Sequence, residues 1–389
     1  MGIQIKIISV AGARPNFMKI APLHRCFQKE SRRIKHLICH TGQHFDENMS
    51  KVFFEDLKIP EPDFCLEAGS ASHAEQTAKI MYSFEKVLLE EVPRLVIVVG
   101  DVNSTLACSL TAAKMNIPVA HVEAGLRSFD RTMPEEINRK LTDALSSYLF
   151  VSEPSGMENL KREGFVNFLD GRKSRRKNVS KGVKKKLPLV SFVGNVMIDS
   201  LISFLPRIEK SKILKTLNLV PDDFILVTFH RPHNVDSKEK LEGLISFLNS
   251  LAEKRKVVFP IHPRTRLNMR AYALENKMRK NIAAIEPLGY IDFLALEKNA
   301  ALVITDSGGI QEETTFLGVP CLTVRDSTER PITVVEGTNR LAGTDLIYAE
   351  KVAMNVLHHP KKKGRIPELW DGKAAERIGA ILVDELKVV

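Results

Sequence analysis

ALVITDSGGIQEETTFLGVPCLTVRDSTERP, residues 301–331, decides how the chain is read. Ala301–Thr305 has the composition of a buried strand, Ser307-Gly308-Gly309 is a turn, and the residues up to Gly318 predict a helix. A second short strand then leads into the charged loop Arg325–Pro331. A helix that opens on small residues offers unpaired backbone N–H groups and the positive end of its dipole to an anion. Gly308 and Gly309 let a phosphate approach the backbone closely. An ordinary strand-to-helix turn has the same local sequence, so the flanking chain has to decide between the two.

Outward from this stretch, short apolar runs alternate with helical segments in both directions. IQIKIISV, HLICH, RLVIVVGD, IPVAHVEAG and YLFVSE come first; LVSFVGN, FILVTFH, KVVFPIH, IAAIEPL, ALVITDS and VPCLTV follow. Continuous apolar strands separated by helices predict parallel sheets covered on both faces. The 389 residues exceed what one core usually serves. The predicted architecture is therefore α/β, with two Rossmann-like doubly wound domains and a cleft between them. Residues 1–188 form the first, with a basic loop insertion at 171–187, and 189–365 form the second. Residues 366–389 are expected to end in a helix that packs back on the first domain, through Ile378, Ile381 and Leu382.

The net charge of +10 invites a nucleic-acid partner, but its distribution excludes one. GRKSRRKNVSKGVKKKL, residues 171–187, carries nine Lys or Arg and no acid, which leaves +1 for the remainder. A polyanion footprint spreads over a folded face, whereas this is one local run without apolar periodicity, read as a mobile surface loop. No apolar run approaches the roughly 18 residues of a membrane helix, and no secretory leader precedes IQIKIISV. Five scattered cysteines without a C-x-x-C pair suggest buried thiols in a reducing compartment, with the cytoplasm as the expected location.

Polar residues recur at one structural place. Asp101, Glu123, His230, His262 and Asp306-Ser307 each end an apolar run. Ligands of open parallel sheets bind beyond the carboxyl ends of the strands, so this set predicts a site there. None of the acids has a metal-ligand spacing, and no G-x-G-x-x-G follows a strand, so neither a metal nor a bound cofactor is expected. Asp101, Glu123 and Glu135 are candidate acid/base groups, because carboxylates crowded in a water-poor cleft repel and one gains proton affinity. Glu135 also suits the first turn of a helix, where acids oppose the dipole. Arg14, Lys19, His230, Arg231 and Arg330 are placed to neutralise a diphosphate with the Ser307 helix end, and Glu313 to accept hydrogen bonds from ribose hydroxyls.

GARPNFMKIAPL, TGQHF, VVGDVNSTLA, HVEAGLRSFDRTMPEEINR, FVGNVMID, VTFHRPHN, TDSGGIQEE and RDSTERP together resemble the non-hydrolysing UDP-N-acetylglucosamine 2-epimerases, in family order along nearly the whole chain. The resemblance implies a GT-B architecture and reversible inversion at C2 of the sugar, giving UDP-N-acetylmannosamine through UDP elimination to a bound 2-acetamidoglucal and re-addition. It implies a catalytic set of Asp101, Glu123, Glu135 and His230. It implies substrate contacts from Arg14, Lys19, Phe293, Ser307, Gly308, Gly309, Glu313 and Arg330. A cytoplasmic homodimer feeding cell-surface polysaccharide synthesis, with a UDP-sugar as its small partner, belongs to the same expectation.

Several positions depart from the family pattern. HRPHN places His233 where an acid is common, and PLGYIDF has Leu288 where Gln is frequent. Gln43 and His44 match a regulatory UDP-N-acetylglucosamine site of some bacterial members, but EAGSASHAEQ lacks their P-G-Q stretch. The alternatives weighed are the same chemistry on another UDP-2-acetamido sugar, such as a diacetamido uronic acid, a GT-B glycosyltransferase, and a non-catalytic UDP-sugar-binding or nucleic-acid-tethered protein using segment 171–187.

Overall fold

The computed structural model describes residues 4–43, 59–169, 188–359 and 364–386. The basic run 171–187 and His44 lie outside the described residues, as does the side chain of Arg14. The chain divides into two compact units, residues 1–202 with 368–389, and residues 203–367.

The first unit is built on eight parallel strands. They are β1 (Ile5–Ala11), β2 (Ile34–His40), β3 (Phe64–Cys65), β4 (Leu95–Val99), β5 (Val119–Val122), β6 (Tyr148–Val151), β7 (Phe168–Leu169) and β8 (Leu189–Phe192). Their order across the sheet is β3-β2-β1-β4-β5-β6-β8-β7. β4 and β5 are buried along their whole length, which is why they read as unbroken apolar runs rather than alternating ones. Ile80, Phe84, Val87 and Leu88 of the helix His73–Glu91 pack with Ile8, Val96 and Val98 on one face of this sheet.

The second unit holds β9 (Phe224–Thr228), β10 (Lys256–Pro260), β11 (Ile282–Ile285), β12 (Leu302–Thr305), β13 (Cys321–Thr323) and β14 (Asn339–Leu341). All are parallel, in the order β11-β10-β9-β12-β13-β14. The six strands β3-β2-β1-β4-β5-β6 of the first sheet and all six of the second thus share one winding, with the order reversing between the first and fourth strand of each. In doubly wound sheets that reversal opens a crevice beyond the strand ends. It falls at β1/β4 in the first unit and β9/β12 in the second.

One boundary differs from the sequence reading. LVSFVGN was assigned to the second domain, yet Leu189–Phe192 pairs in register with Tyr148–Val151 and belongs to the first sheet. β8 therefore belongs to the first unit, and the boundary between the units lies beyond it. The boundary at residues 202/203 falls within the helix Val196–Ile208.

The C-terminal segment returns to the first unit as a built structure. The helix Ala374–Leu386 packs against the helix Arg14–Lys29. Asp199 caps its start, accepting from the backbone N–H of Ala374 at 3.1 Å and Ala375 at 2.7 Å. The indole N–H of the buried Trp370 donates to the carbonyl of Ser152 at 3.1 Å. Gly194, at φ +88°, lets the backbone of Leu369 pass so close that a Cβ there would lie 2.1 Å from its carbonyl oxygen. Gly194→Ala should therefore cost about 3 kcal/mol from backbone strain and overlap together, read as a lower unfolding midpoint. Gly164→Ala, at φ +93° in open space, should cost about 1 kcal/mol. Equal losses in the two variants would remove the Leu369 approach as the cause.

Candidate functional site

The switch point of the first unit collects the predicted acids. β1 runs into Gly12, and the helix Arg14–Lys29 begins with Pro15 in its first turn. Asn16 replaces a conventional cap: its Oδ1 accepts from the N–H groups of Gly12 and Ala13, both at 2.9 Å. One turn further on, the buried Lys19 places Nζ 2.5 Å from Oε2 of Glu123 at the end of β5. Gly100, at φ +69° after β4, lies beneath this pair. A Cβ on Gly100 would stand 3.2 Å from Lys19 Nζ and 3.7 Å from Glu123 Oε2, so a side chain there would press on both. Glu123 itself adopts φ +74°, a conformation costing about 1–3 kcal/mol for a residue with a side chain. Backbone strain at a buried charged strand end is a recurring mark of functional positions.

Asp101 is fixed separately. Arg139 Nε meets its Oδ2 at 3.0 Å, and Asn138 Nδ2 donates to its backbone carbonyl at 2.9 Å. Both residues lie on the helix Pro134–Leu145. The structure therefore gives each acid its own cation, Asp101 with Arg139 and Glu123 with Lys19, where sequence reasoning expected carboxylates crowding one another. The two glutamates that open this helix have different roles. Glu136 is fully buried, accepts from the N–H groups of Ser128 and Phe129, and pairs with Arg139. Glu135 is half-buried beside it. Of the two, only Glu135 keeps a partly accessible side chain.

The switch point of the second unit holds His230 and the Ser307 helix end. His230, two residues beyond β9, sets Nδ1 2.8 Å from Oδ1 of Asp306, directly after β12. Asp306 also accepts from the backbone N–H of Arg231 at 2.9 Å and from Asn234 Nδ2 at 3.0 Å. Burial works to raise the Asp306 carboxyl, but the hydrogen bond and charge of His230, with those other donors, outweigh it and hold it at about 2. The His230 side chain stays 43% exposed, with Nδ1 taken by Asp306. Ser307 precedes the helix Gly308–Leu317 without a side-chain cap, leaving its first amides to other partners.

Arg330 is closer to that helix than its position in the sequence suggested. It pairs with Glu312 at 2.9 Å and Glu329 at 3.0 Å. A Cβ on Gly308 would come within 2.9 Å of both the Arg330 guanidinium and the Glu329 carboxylate. Glu313 accepts a 2.8 Å hydrogen bond from the hydroxyl of Tyr290. Burial pushes the Glu313 carboxyl up to about 8, with Glu312 adding repulsion and Tyr290 working against both. Phe293 lies on the same helix as Tyr290, Tyr290–Asn299, and is partly buried.

The predicted residues thus form two sets, Lys19, Asp101, Glu123 and Glu135 in one unit and Phe293, His230, Ser307–Gly309, Glu313 and Arg330 in the other. Sequence reasoning missed Arg139, Asp306 and Tyr290 as their partners. Arg139 was visible as a basic residue one turn after Glu135, and Asp306 as the acid before Ser307; Tyr290 had no signal. No group of three or more His, Cys, Asp or Glu among the described residues has metal-binding geometry.

Glu313 yields a pH test. An acid whose value rises from 4.5 to about 8 on folding lends stability that is full below 4.5 and is lost as pH climbs through 8. Glu313→Gln should therefore be more stable than wild type at pH 8 but not at pH 5, as read by unfolding midpoints. The same difference at both values would place the buried charge elsewhere.

Comparison with known proteins agrees with this geometry. The family model for UDP-N-acetylglucosamine 2-epimerase matches residues 27–383. The UDP-N-acetylglucosamine 2-epimerase of Methanocaldococcus jannaschii is 42% identical over 388 residues, 97% of this chain and 99% of that one. A crystal structure of the Methanocaldococcus jannaschii enzyme in complex with UDP-GlcNAc and UDP aligns with a TM-score of 0.85, covering 98% of this chain and 100% of that one. The UDP-2,3-diacetamido-2,3-dideoxy-D-glucuronate 2-epimerase of Pseudomonas aeruginosa is 40% identical over 340 residues, 87% of this chain and 88% of that one. With two parallel sheets, the GT-B-like α/β fold of these neighbours, and a family match along most of its length, this chain belongs to the UDP-N-acetylglucosamine 2-epimerase family.

Proposed function

We propose that the protein interconverts UDP-N-acetylglucosamine and UDP-N-acetylmannosamine by eliminating UDP and adding it back. The observation that carries this reading is the pairing at the strand ends. Two acids, each held by a buried cation, end adjacent strands of the first sheet. An anion-type helix start and a histidine end the switch-point strands of the second.

The chemistry follows from what each set offers. A carboxylate takes the C2 proton; the C–H electron pair becomes the C1–C2 double bond, and the C1–O bond breaks with UDP leaving. The product is a 2-acetamidoglucal. Re-addition of the UDP oxygen to C1, with a proton delivered to C2 on the opposite face, gives the epimer. Two acid/base groups are needed, one per face, and Asp101, Glu123 and Glu135 are the candidates. The departing UDP must stay bound, because the glucal has no other reactant to return to. Amides at Ser307–Gly309, the partly exposed imidazole of His230, Arg14 and Arg330 are suited to its diphosphate charge. Glu313 and Phe293 are assigned to the nucleoside. Lys19 serves by holding Glu123. No resident metal or cofactor enters any of these steps.

The assignment includes action in the cytoplasm as a homodimer. No helix among the described residues is long and apolar enough to cross a membrane. The Pseudomonas relative favours one second reading, the same inversion on a diacetamido uronic acid UDP-sugar, because its identity is nearly that of the Methanocaldococcus one.

Incubation with each UDP-sugar in deuterated water, followed by proton NMR, separates the readings. The expected result is C2 inversion of UDP-N-acetylglucosamine with solvent deuterium entering C2. Inversion of the diacetamido sugar alone would select the second reading, and an inert donor that reacts only with an added acceptor would indicate a glycosyltransferase. Glu123→Gln should lower kcat by roughly 10²–10⁴-fold while changing the Kd of UDP by less than about threefold. Gly308→Ala, whose Cβ would crowd the Arg330 guanidinium at this helix start, should do the reverse, weakening UDP binding more than turnover. Parallel losses in both quantities would contradict this division of roles.

A further inference from the structure

Behind the acids of the first unit lies a chain of buried charges that the proposed reaction does not use. His121, on β5, is fully buried. Its Nε2 is 2.9 Å from the carbonyl oxygen of Gly100, and its Nδ1 is 2.6 Å from Oδ1 of Asp143. The other oxygen of Asp143 accepts from the backbone N–H of Gly125 at 3.0 Å and meets the Arg127 guanidinium at 2.7 Å. Arg127 extends the chain to Glu163 with bonds of 2.8 and 2.6 Å.

The donors in this chain can be assigned. A backbone carbonyl only accepts, so Nε2 of His121 must carry a hydrogen. Asp143 is an acceptor on Oδ2 from two donors, one of them a permanent cation. An ionised Asp143 leaves Oδ1 as an acceptor as well, so Nδ1 must also carry a hydrogen. Burial works to raise the Asp143 carboxyl, but His121 and Arg127 hold it below the ordinary carboxylate range. Glu163, at the far end, is exposed, so Arg127 already balances Asp143 in the interior. The assignment of a hydrogen to each ring nitrogen therefore rests on the two acceptors that face them.

We propose that His121 is a buried imidazolium and a positioning residue, whose two N–H groups tie the Gly100 carbonyl at the end of β4 to Asp143 on the helix Pro134–Leu145. The same helix grips Asp101 through Asn138 and Arg139. Asp143 also fixes the 123–127 loop through Gly125 and Arg127. His121 thereby sets the separation of Asp101 and Glu123, the two acids that the epimerase reading asks to work on one carbon. The neighbouring charged groups are the Lys19–Glu123 pair at the end of its own strand, and Asp101, Arg139 and Glu136 beyond Gly100. Its catalytic consequence rests on the proposed function; its charge state does not.

The test uses the full-length chain labelled with 15N-histidine. The His121 signals, assigned by their loss in His121→Gln, should show both ring nitrogens protonated from pH 6 to pH 8. One bare nitrogen at pH 7 would overturn the proposal. His121→Gln and Asp143→Asn should each lower kcat by about 10²-fold with the Kd of UDP changed less than about threefold. Full kcat in His121→Gln would overturn the positioning role. Should these variants not fold, two N–H protons on a wild-type buried histidine at pH 8 support the proposal, and their absence overturns it. A wild type with this signature that turns over no UDP-sugar would support the imidazolium and count against the epimerase reading.

Discussion

The ion pair between Lys19 and Glu123, closed over Gly100, holds the first unit's site together. It joins the helix that follows β1 to the end of β5 across the turn after β4, at 2.5 Å and away from water. Loss of one partner of a buried pair costs about 3–5 kcal/mol, because the other charge is stranded. The pair explains two backbone features around it. Gly100 leaves room for the two side chains, and Glu123 adopts a left-handed conformation to turn its carboxylate toward Lys19. The neighbouring acid Asp101 is anchored from the opposite side by Arg139. Two carboxylates thus end adjacent strands without sharing a cation, an arrangement that suits two separate proton transfers better than one shared proton.

The second unit repeats the winding of the first with different residues at the switch point. There the acid is Asp306, spent on orienting His230 and the backbone of Arg231, and the helix start beside it is uncapped. Acids at the strand ends suit proton chemistry; an uncapped helix with a histidine and an arginine beside it suits a leaving diphosphate. In the proposed reaction the first unit works on carbon and the second retains UDP. The same sheet order serves both tasks because the crevice is set by topology, while its chemistry is set by which side chains end β1, β4 and β5, or β9 and β12.

Much of this was legible in the sequence for a physical reason. Buried parallel strands read as apolar runs, so the first charged or polar residue after each run marks the sheet edge where ligands bind. Asp101, Glu123, His230 and Ser307 were found in that way. What was illegible depends on side-chain directions. Glu135 and Glu136 are adjacent in sequence, yet one is half-exposed and the other fully buried as an acceptor for the 128–129 backbone. His121 was hidden within the apolar run of β5, and Tyr290 within PLGYIDF. β8 was misassigned to the second domain because it follows the basic run. Only the pairing of Leu189–Phe192 with β6 assigns it to the first sheet.

The central claim is that the C1–O bond to UDP breaks and re-forms while UDP stays bound. Positional isotope exchange tests it most directly, using UDP-N-acetylglucosamine with 18O in the bridge between C1 and the β-phosphate. Elimination makes the β-phosphate oxygens of bound UDP equivalent, so phosphorus NMR should show the label moving to non-bridging positions at a rate comparable to epimerisation. Complete epimerisation with all of the label still in the bridge would contradict the account.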